Sequence, residues 1–96
     1  MVTAITLMNT SQGRTAEVAQ ALIDLPGISE VYSVAGAYDL VVIARVRDHE
    51  QLAELVAGRV QKIPGIESTN TLIAFRAYSR RDLEALFSIG DEERAI

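Results

Sequence analysis

The chain has 96 residues, of which 49% are hydrophobic and 23% are charged, a composition typical of one globular domain and unlike that of a disordered tail. It contains no cysteine, which excludes disulfide frameworks, thiol nucleophiles and zinc ribbons and is compatible with a reducing compartment. Nine Lys and Arg against thirteen Asp and Glu give a net charge of -4. No window concentrates basic residues enough to follow a phosphate backbone, so direct nucleic-acid binding is disfavoured.

The N-terminus has no basic region followed by a long apolar run, and no stretch reaches the roughly 18 apolar residues that a spanning helix requires. We therefore expect a soluble, cytoplasmic protein with no membrane partner.

An internal repeat organises the sequence. The segment 25–28 (LPGI) returns as 63–66 (IPGI), an offset of 38 residues, and at the same offset Ile5 falls on Ile43. A repeat that keeps strand and helix positions in register predicts two copies of one supersecondary unit. The repeat therefore predicts that the chain consists of two βαβ halves.

The first half begins with an apolar, β-branched strand over 2–8, followed by a turn and a helix whose apolar residues recur with helical spacing. Pro26-Gly27 ends this helix, and a second strand is predicted over 28–35. The third strand, 40–44, is apolar on both faces of its pleat, which is typical of a central strand.

In the second half, Asp48 and Gln51 have the spacing of a capping box, which predicts the start of a helix. A second Pro-Gly pair ends that helix, and an unusually long fourth strand is predicted from Ile66 toward Tyr78. Ser79 and Asp82 predict a short C-terminal helix carrying apolar positions, before a solvated tail over 91–94; the apolar positions are Leu83, Leu86 and Phe87.

A βαββαβ order with right-handed crossovers gives an α+β fold of the ferredoxin-like type, a four-stranded antiparallel sheet with both helices on one face. The other face of the sheet is left uncovered, although the third strand puts apolar side chains there. Packing against a second copy of the chain is the simplest way to bury these apolar side chains. We predict a homodimer packed sheet to sheet.

The segment 34–39 (VAGAYD) combines a glycine, a phenol and a carboxylate at one end of the sheet. It is either an ordinary hairpin turn, with Gly36 at positive φ and Asp39 bonding local backbone, or a ligand site. In the second case backbone N–H groups near Gly36 hold a carboxylate and Asp39 faces an ammonium, which together describe an α-amino acid. Thr69 and Thr71 on the last strand would complete such a pocket.

No other group of residues has the composition or spacing of a catalytic or metal-binding site, so we predict no catalytic residue, metal or cofactor. The single histidine, His49, is expected in a solvent-exposed first helical turn. The tyrosines at 32, 38 and 78 are expected to pack through their rings, with their hydroxyl groups in contact with water. A basic group near the C-terminus is expected to be surface charge; it consists of Arg76, Arg80 and Arg81.

Taken in order, the motifs 26–28, 34–40, Leu52 and 63–66 with the two threonines resemble the ligand-binding domain of the Lrp/AsnC family of transcriptional regulators, also called the RAM domain. The resemblance implies a ferredoxin-like dimeric α+β barrel that dimerises through its sheets, often forms octameric rings, and binds amino acids between subunits near a Gly-x-Tyr/Phe-Asp turn. It carries over Gly36, Tyr38 and Asp39 as pocket residues, with Val34, Ala35, Thr69 and Thr71 as neighbours.

Family members usually begin with a helix-turn-helix domain of roughly 50 residues, whereas Met1 here starts almost directly on the first strand. The resemblance therefore implies a single RAM domain over 1–96 without a DNA-binding domain. It is either a stand-alone RAM protein, which senses an amino acid or joins full-length regulators, or a piece trimmed to this domain.

Two alternatives remain open from the sequence. One is a dimeric α+β barrel enzyme such as a small monooxygenase, which fold analogy alone supports. The other is a purely structural assembly subunit without ligand response. If the sensor interpretation is right, Asp39→Ala is expected to abolish ligand response and leave the fold intact, because Asp39 is predicted in a surface hairpin.

Overall fold

The computed structural model describes residues 1–78 and residue 80. Its strands are β1 (Val2–Thr10), β2 (Ile28–Ser33), β3 (Leu40–Val46) and β4 (Ile66–Ala74), in one antiparallel sheet of order β2-β3-β1-β4. Helix α1 (Thr15–Ile23) joins β1 to β2, and α2 (His49–Ala53) starts the connection from β3 to β4. The ferredoxin-like α+β fold predicted from the sequence is confirmed.

The core lies between the helices and one face of the sheet. Alternate residues of β1 and β3 point into it, and Met8 and Leu40 are fully buried there. Val18 and Leu22 of α1 are also fully buried, as the helical spacing of the apolar residues predicts. The prediction that the third strand is central is confirmed, because β3 lies between β2 and β1.

Two strands end earlier than predicted, each close to the first residue of the neighbouring strand. β4 ends at Ala74, which pairs with Thr3 near the start of β1, so the chain leaves the sheet before the predicted end at Tyr78. β2 ends at Ser33, which pairs with Leu40, the first residue of β3. The predicted C-terminal helix and tail lie outside the described residues, apart from Arg80.

The capping box at the start of α2 is confirmed. The Gln51 backbone N–H donates to Asp48 Oδ1 at 2.8 Å, and the Arg47 backbone N–H donates to Gln51 Oε1 at 2.7 Å. The two bonds satisfy two backbone donors at the helix start, although the Gln51 side chain accepts from Arg47, which precedes the N-cap, and not from Asp48 itself.

A wide π-helical turn over Glu54–Arg59 and a 3-10 turn over Val60–Lys62 continue α2, and the sequence did not predict either of them. In the wide turn the Val60 N–H donates to the Leu55 carbonyl, five residues earlier. Residues five apart lie on different faces of an α-helix, whereas a π turn brings them toward one face. Leu55 and Val60 are accordingly both buried against the sheet.

The repeated Pro-Gly turns brace the two halves of the chain against each other. The carbonyl of Gly27, in the first half, accepts a hydrogen bond of 2.9 Å from the Arg45 N–H near the end of β3. The carbonyl of Gly65, in the second half, accepts one of 2.7 Å from the Ser11 N–H just after β1. Each turn therefore bonds to the strand end of the other half.

Candidate functional site

The connection between β2 and β3, residues 34–39, forms a short turn at one end of the sheet, and we call it the glycine turn. Its ends are joined by a hydrogen bond of 3.0 Å from the Val34 N–H to the Asp39 carbonyl. Gly36 has φ +128, a backbone conformation that residues with a side chain rarely adopt. No atom lies within 4 Å of the position that a Cβ would take there. The backbone of Val34, Ala35 and Gly36 therefore belongs to an exposed segment that needs glycine for its conformation.

The side chain of Asp39 bonds to the end of β1 rather than to its own hairpin. Its Oδ2 atom accepts the Thr10 backbone N–H at 2.8 Å and lies 3.4 Å from the Thr10 hydroxyl. Its own N–H donates to the Met8 carbonyl at 3.0 Å. The glycine turn is thus fixed to the neighbouring strand by both the backbone and the side chain of Asp39, and this contact was not predicted from the sequence.

Thr10 and Thr15 continue this connection to α1. Thr10 is 7% exposed, and its hydroxyl oxygen lies 2.7 Å from that of Thr15, the first residue of α1. Sequence reasoning missed both, since Thr10 and Asp39 are 29 residues apart. The signal that finds them is the strand order, which places the end of β1 beside the start of β3.

Thr69 and Thr71 lie away from the glycine turn within one chain. Thr69 pairs with Met8, which in turn pairs with Leu40, so β1 separates Thr69 from β3. Two strand spacings amount to about 10 Å. The Thr71 hydroxyl lies 3.0 Å from that of Thr6, on the sheet face that the helices cover. The chain by itself therefore brings Val34 to Asp39 together and leaves the two threonines apart from them, while Tyr38 is half-buried in the turn.

The remaining candidates are dispersed. His49 is exposed at the first residue of α2, and Arg76, Tyr78 and Arg80 are exposed after β4, whereas Arg81 lies outside the described residues. Across residues 1–78 and residue 80, no three side chains of the metal-ligating types come together. In that same part of the chain, no helix has the length and apolar character needed to cross a membrane.

The sheet face that the helices leave free carries an apolar band, which we call the open face. Ile5 of β1 pairs with Ile43 of β3 on one side and with Leu72 of β4 on the other. Leu7 pairs with Val41 two residues further along. Leu72 is 48% exposed, so this band is in contact with water in the single chain. Contiguous apolar surface of this kind marks interaction sites in soluble proteins.

Comparison with known proteins agrees with this architecture. Residues 3–83 match the family model of the Lrp/AsnC ligand binding domain. The HTH-type transcriptional regulator FL11 of Pyrococcus horikoshii is 36% identical over 75 residues, which are 78% of this chain and 49% of that protein. The chain therefore spans about half the length of the curated relatives it matches.

Solved structures show the same fold. TTHA0845 from Thermus thermophilus superposes with a TM-score of 0.78 at 42% identity, and the match covers 83% of this chain and 100% of that one. E. coli AsnC superposes with a TM-score of 0.77 at 23% identity, covering 83% of this chain and 54% of that one. The sheet, its turn and these matches define a ligand-binding regulatory domain. The chain belongs to the Lrp/AsnC family, whose members are transcriptional regulators and not enzymes.

Proposed function

We propose that this domain binds a free α-amino acid at the glycine turn and responds through its oligomeric assembly. The observation that carries the proposal is the hydrogen bonding of Asp39, which fixes an exposed glycine-containing segment to the end of β1. A segment held in place before the ligand arrives loses less conformational entropy on binding. The description of the family as a ligand binding domain supports the same conclusion.

The turn offers the two groups that an α-amino acid requires. Exposed backbone N–H groups around Gly36 suit the carboxylate of the ligand, because successive amides in a turn form an anion-binding concavity. The carboxylate of Asp39 supplies negative charge for the ammonium of the ligand, and charge-assisted hydrogen bonds of this kind are about twice as strong as neutral ones. Tyr38 lies between these two residues and is half-buried. No metal or cofactor is needed for this binding mode.

Thr69 and Thr71 enter the proposed pocket only from another subunit, since β1 separates them from the turn within one chain. A site that spans a subunit boundary couples ligand binding to assembly, because the ligand then has different affinities for the assembled and the separate chains. Dimers, octameric rings or mixed assemblies with full-length Lrp/AsnC regulators are the protein partners that fit this arrangement.

The proposed dimer packs open face against open face. The apolar band of the open face continues over β1, β3 and β4, and a second copy would remove it from water. We expect sedimentation equilibrium at micromolar concentration to give a mass of about twice the 10.4 kDa chain, or a multiple of that dimer. A single species at the monomer mass would contradict the proposed assembly.

Thermal unfolding in the presence of each common amino acid tests the ligand. A ligand at 100 times its dissociation constant stabilises the folded state by about 2.7 kcal/mol, which raises the midpoint of a domain of this size by roughly 10 °C or more. We expect a selective increase with one amino acid or a few related ones at millimolar concentration, against glycerol at the same concentration as a control.

A second function, a structural assembly subunit without ligand response, is favoured by the open face alone. The same unfolding experiment separates the two. If no amino acid changes the midpoint while the protein is oligomeric, the glycine turn is an ordinary hairpin and the assembly function stands by itself.

A further inference from the structure

The two oxygens of the Asp39 carboxylate have different surroundings. Oδ2 accepts the Thr10 backbone N–H at 2.8 Å and lies 3.4 Å from the Thr10 hydroxyl oxygen. Within residues 1–78 and residue 80, every buried side-chain oxygen has a hydrogen-bond partner. Oδ1 has no such partner in that part of the chain, so it is accessible to water. One oxygen is therefore held by Thr10, and the other is open to a ligand.

The hydroxyl of Thr10 lies between that carboxylate and helix α1. Thr10 is 7% exposed, so its hydroxyl depends on protein partners. Its oxygen lies 2.7 Å from the hydroxyl oxygen of Thr15, the first residue of α1. A hydroxyl donates one proton and also accepts, whereas an ionised carboxylate only accepts. The arrangement that satisfies all three groups is a chain in which Thr15 donates to Thr10 and Thr10 donates to Asp39.

We propose that Thr10 and Thr15 are positioning residues for the bound amino acid, because they hold Asp39 Oδ2 and so direct Oδ1 toward the ammonium of the ligand. Thr10 acts through Asp39, and Thr15 acts through Thr10. This role rests on the proposed function and adds to it the two residues that fix the orientation of the carboxylate.

The physical reason is that one hydrogen bond does not fix the plane of a carboxylate. The terminal torsion of an aspartate side chain is broad, and the Thr10 N–H holds Oδ2 at a single point. A second donor restricts the remaining rotation. The Thr10 hydroxyl is that donor, and its bond to Thr15 orients it, since hydrogen bonds in a chain polarise one another. A carboxylate oriented before the ligand arrives loses less conformational entropy on binding.

The same contacts also fit a purely structural role, in which the two hydroxyls only join the end of β1 to the start of α1. The two roles differ in what they change. A structural role affects the unfolding midpoint of the free protein and leaves the affinity for the amino acid as it is. A positioning role changes the affinity itself, and a variant that keeps the hydroxyl restores it.

The test measures the dissociation constant of the amino acid by titration calorimetry on the full chain. The probe is the common L-amino acid that raises the wild-type unfolding midpoint most when each is screened separately. Thr10→Val keeps the shape of the side chain and removes the hydroxyl, and we expect it to raise the constant about tenfold, since bonds to charged groups are the stronger ones. Thr15→Val acts at one remove and is expected to raise it about fivefold.

Two further variants separate the hydroxyl from the rest of the side chain and the site from the rest of α1. Thr10→Ser keeps the hydroxyl and is expected to stay within about twofold of the wild-type constant. The double variant of Thr10→Val and Thr15→Val is expected to match Thr10→Val alone, because Thr15 acts through Thr10. The matched control is Glu17→Gln, which breaks the exposed Arg14–Glu17 pair of 3.1 Å in the first turn of α1 and is expected to leave the constant unchanged.

The outcomes distinguish this role from the proposed function. If no amino acid binds the wild type, the proposed function and the positioning role are both overturned. If the wild type binds and Thr10→Val has the same constant with a lower midpoint, the positioning role alone is overturned and the hydroxyls are structural. Circular dichroism verifies that each variant is folded. Should Thr10→Val not fold, Thr15→Val decides, because an unchanged constant in that variant overturns the chain of hydroxyls.

Discussion

Replacing Gly65 by alanine is expected to lower the free energy of unfolding by about 2–4 kcal/mol, the sum of two costs. Gly65 has φ +100, where a Cβ strains the backbone, and that Cβ would lie 3.0 Å from Val18 Cγ2. Val18 is fully buried in the core, so it has little room to move away. The turn is also anchored by its carbonyl to Ser11, which limits how far the backbone can relax.

Gly13→Ala is the matched control for this prediction. Gly13 has φ +80, but no atom lies within 4 Å of its Cβ position, so only the backbone cost of about 1–2 kcal/mol applies. Urea unfolding of both variants at one protein concentration gives the comparison, since the stability of the proposed dimer would depend on concentration. Equal losses in the two variants would show that the contact with Val18 carries no cost and that the brace between the halves is loose.

Asp39→Ala is expected to lower the free energy of unfolding by about 1–3 kcal/mol and to remove the amino-acid-dependent rise in the unfolding midpoint. The first effect follows from the hydrogen bond of 2.8 Å that the carboxylate accepts from the buried Thr10 N–H, which alanine leaves without a partner. The second follows from the proposed contact with the ammonium of the ligand. The sequence alone suggested that this change leaves the fold intact; the bond to Thr10 adds a stability cost to that expectation.

Asp39→Asn separates the two roles of this side chain. An asparagine oxygen still accepts the Thr10 N–H, so the loss of stability is expected to stay below about 1 kcal/mol. The negative charge is gone, so the response to an amino acid is expected to disappear. Thermal unfolding of both variants with and without the amino acid that stabilises the wild type gives the result. A response that persists in Asp39→Asn would mean that Asp39 only positions the turn.

The open face and the core are features that the periodicity of the sequence predicts. Apolar residues on both faces of β3 predicted a sheet with two apolar faces, and the helices cover only one of them. The repeat predicted two equivalent halves, because a βαβ unit requires a fixed order of strand, helix and turn. These inferences depend on local spacing, which the sequence contains in full.

The ends of the elements and the site depended on contacts between distant residues. β4 stops at Ala74, which pairs with Thr3, the second residue of β1, and no pattern within β4 marks that point. The π turn of α2 follows from packing Leu55 and Val60 on one sheet, which helical periodicity does not predict.

The sequence by itself determined the ferredoxin-like order of elements, the central strand, the helix cap at Asp48 and the family to which the chain belongs. Only the tertiary structure decided that Asp39 bonds Thr10, that Thr69 lies across β1 from the glycine turn, and that Glu30 pairs with Arg45 on the open face. The physical reason is the range of the interactions. Periodicity and capping act within a few residues, whereas these three relations depend on strand order and register, which bring together residues far apart in the chain.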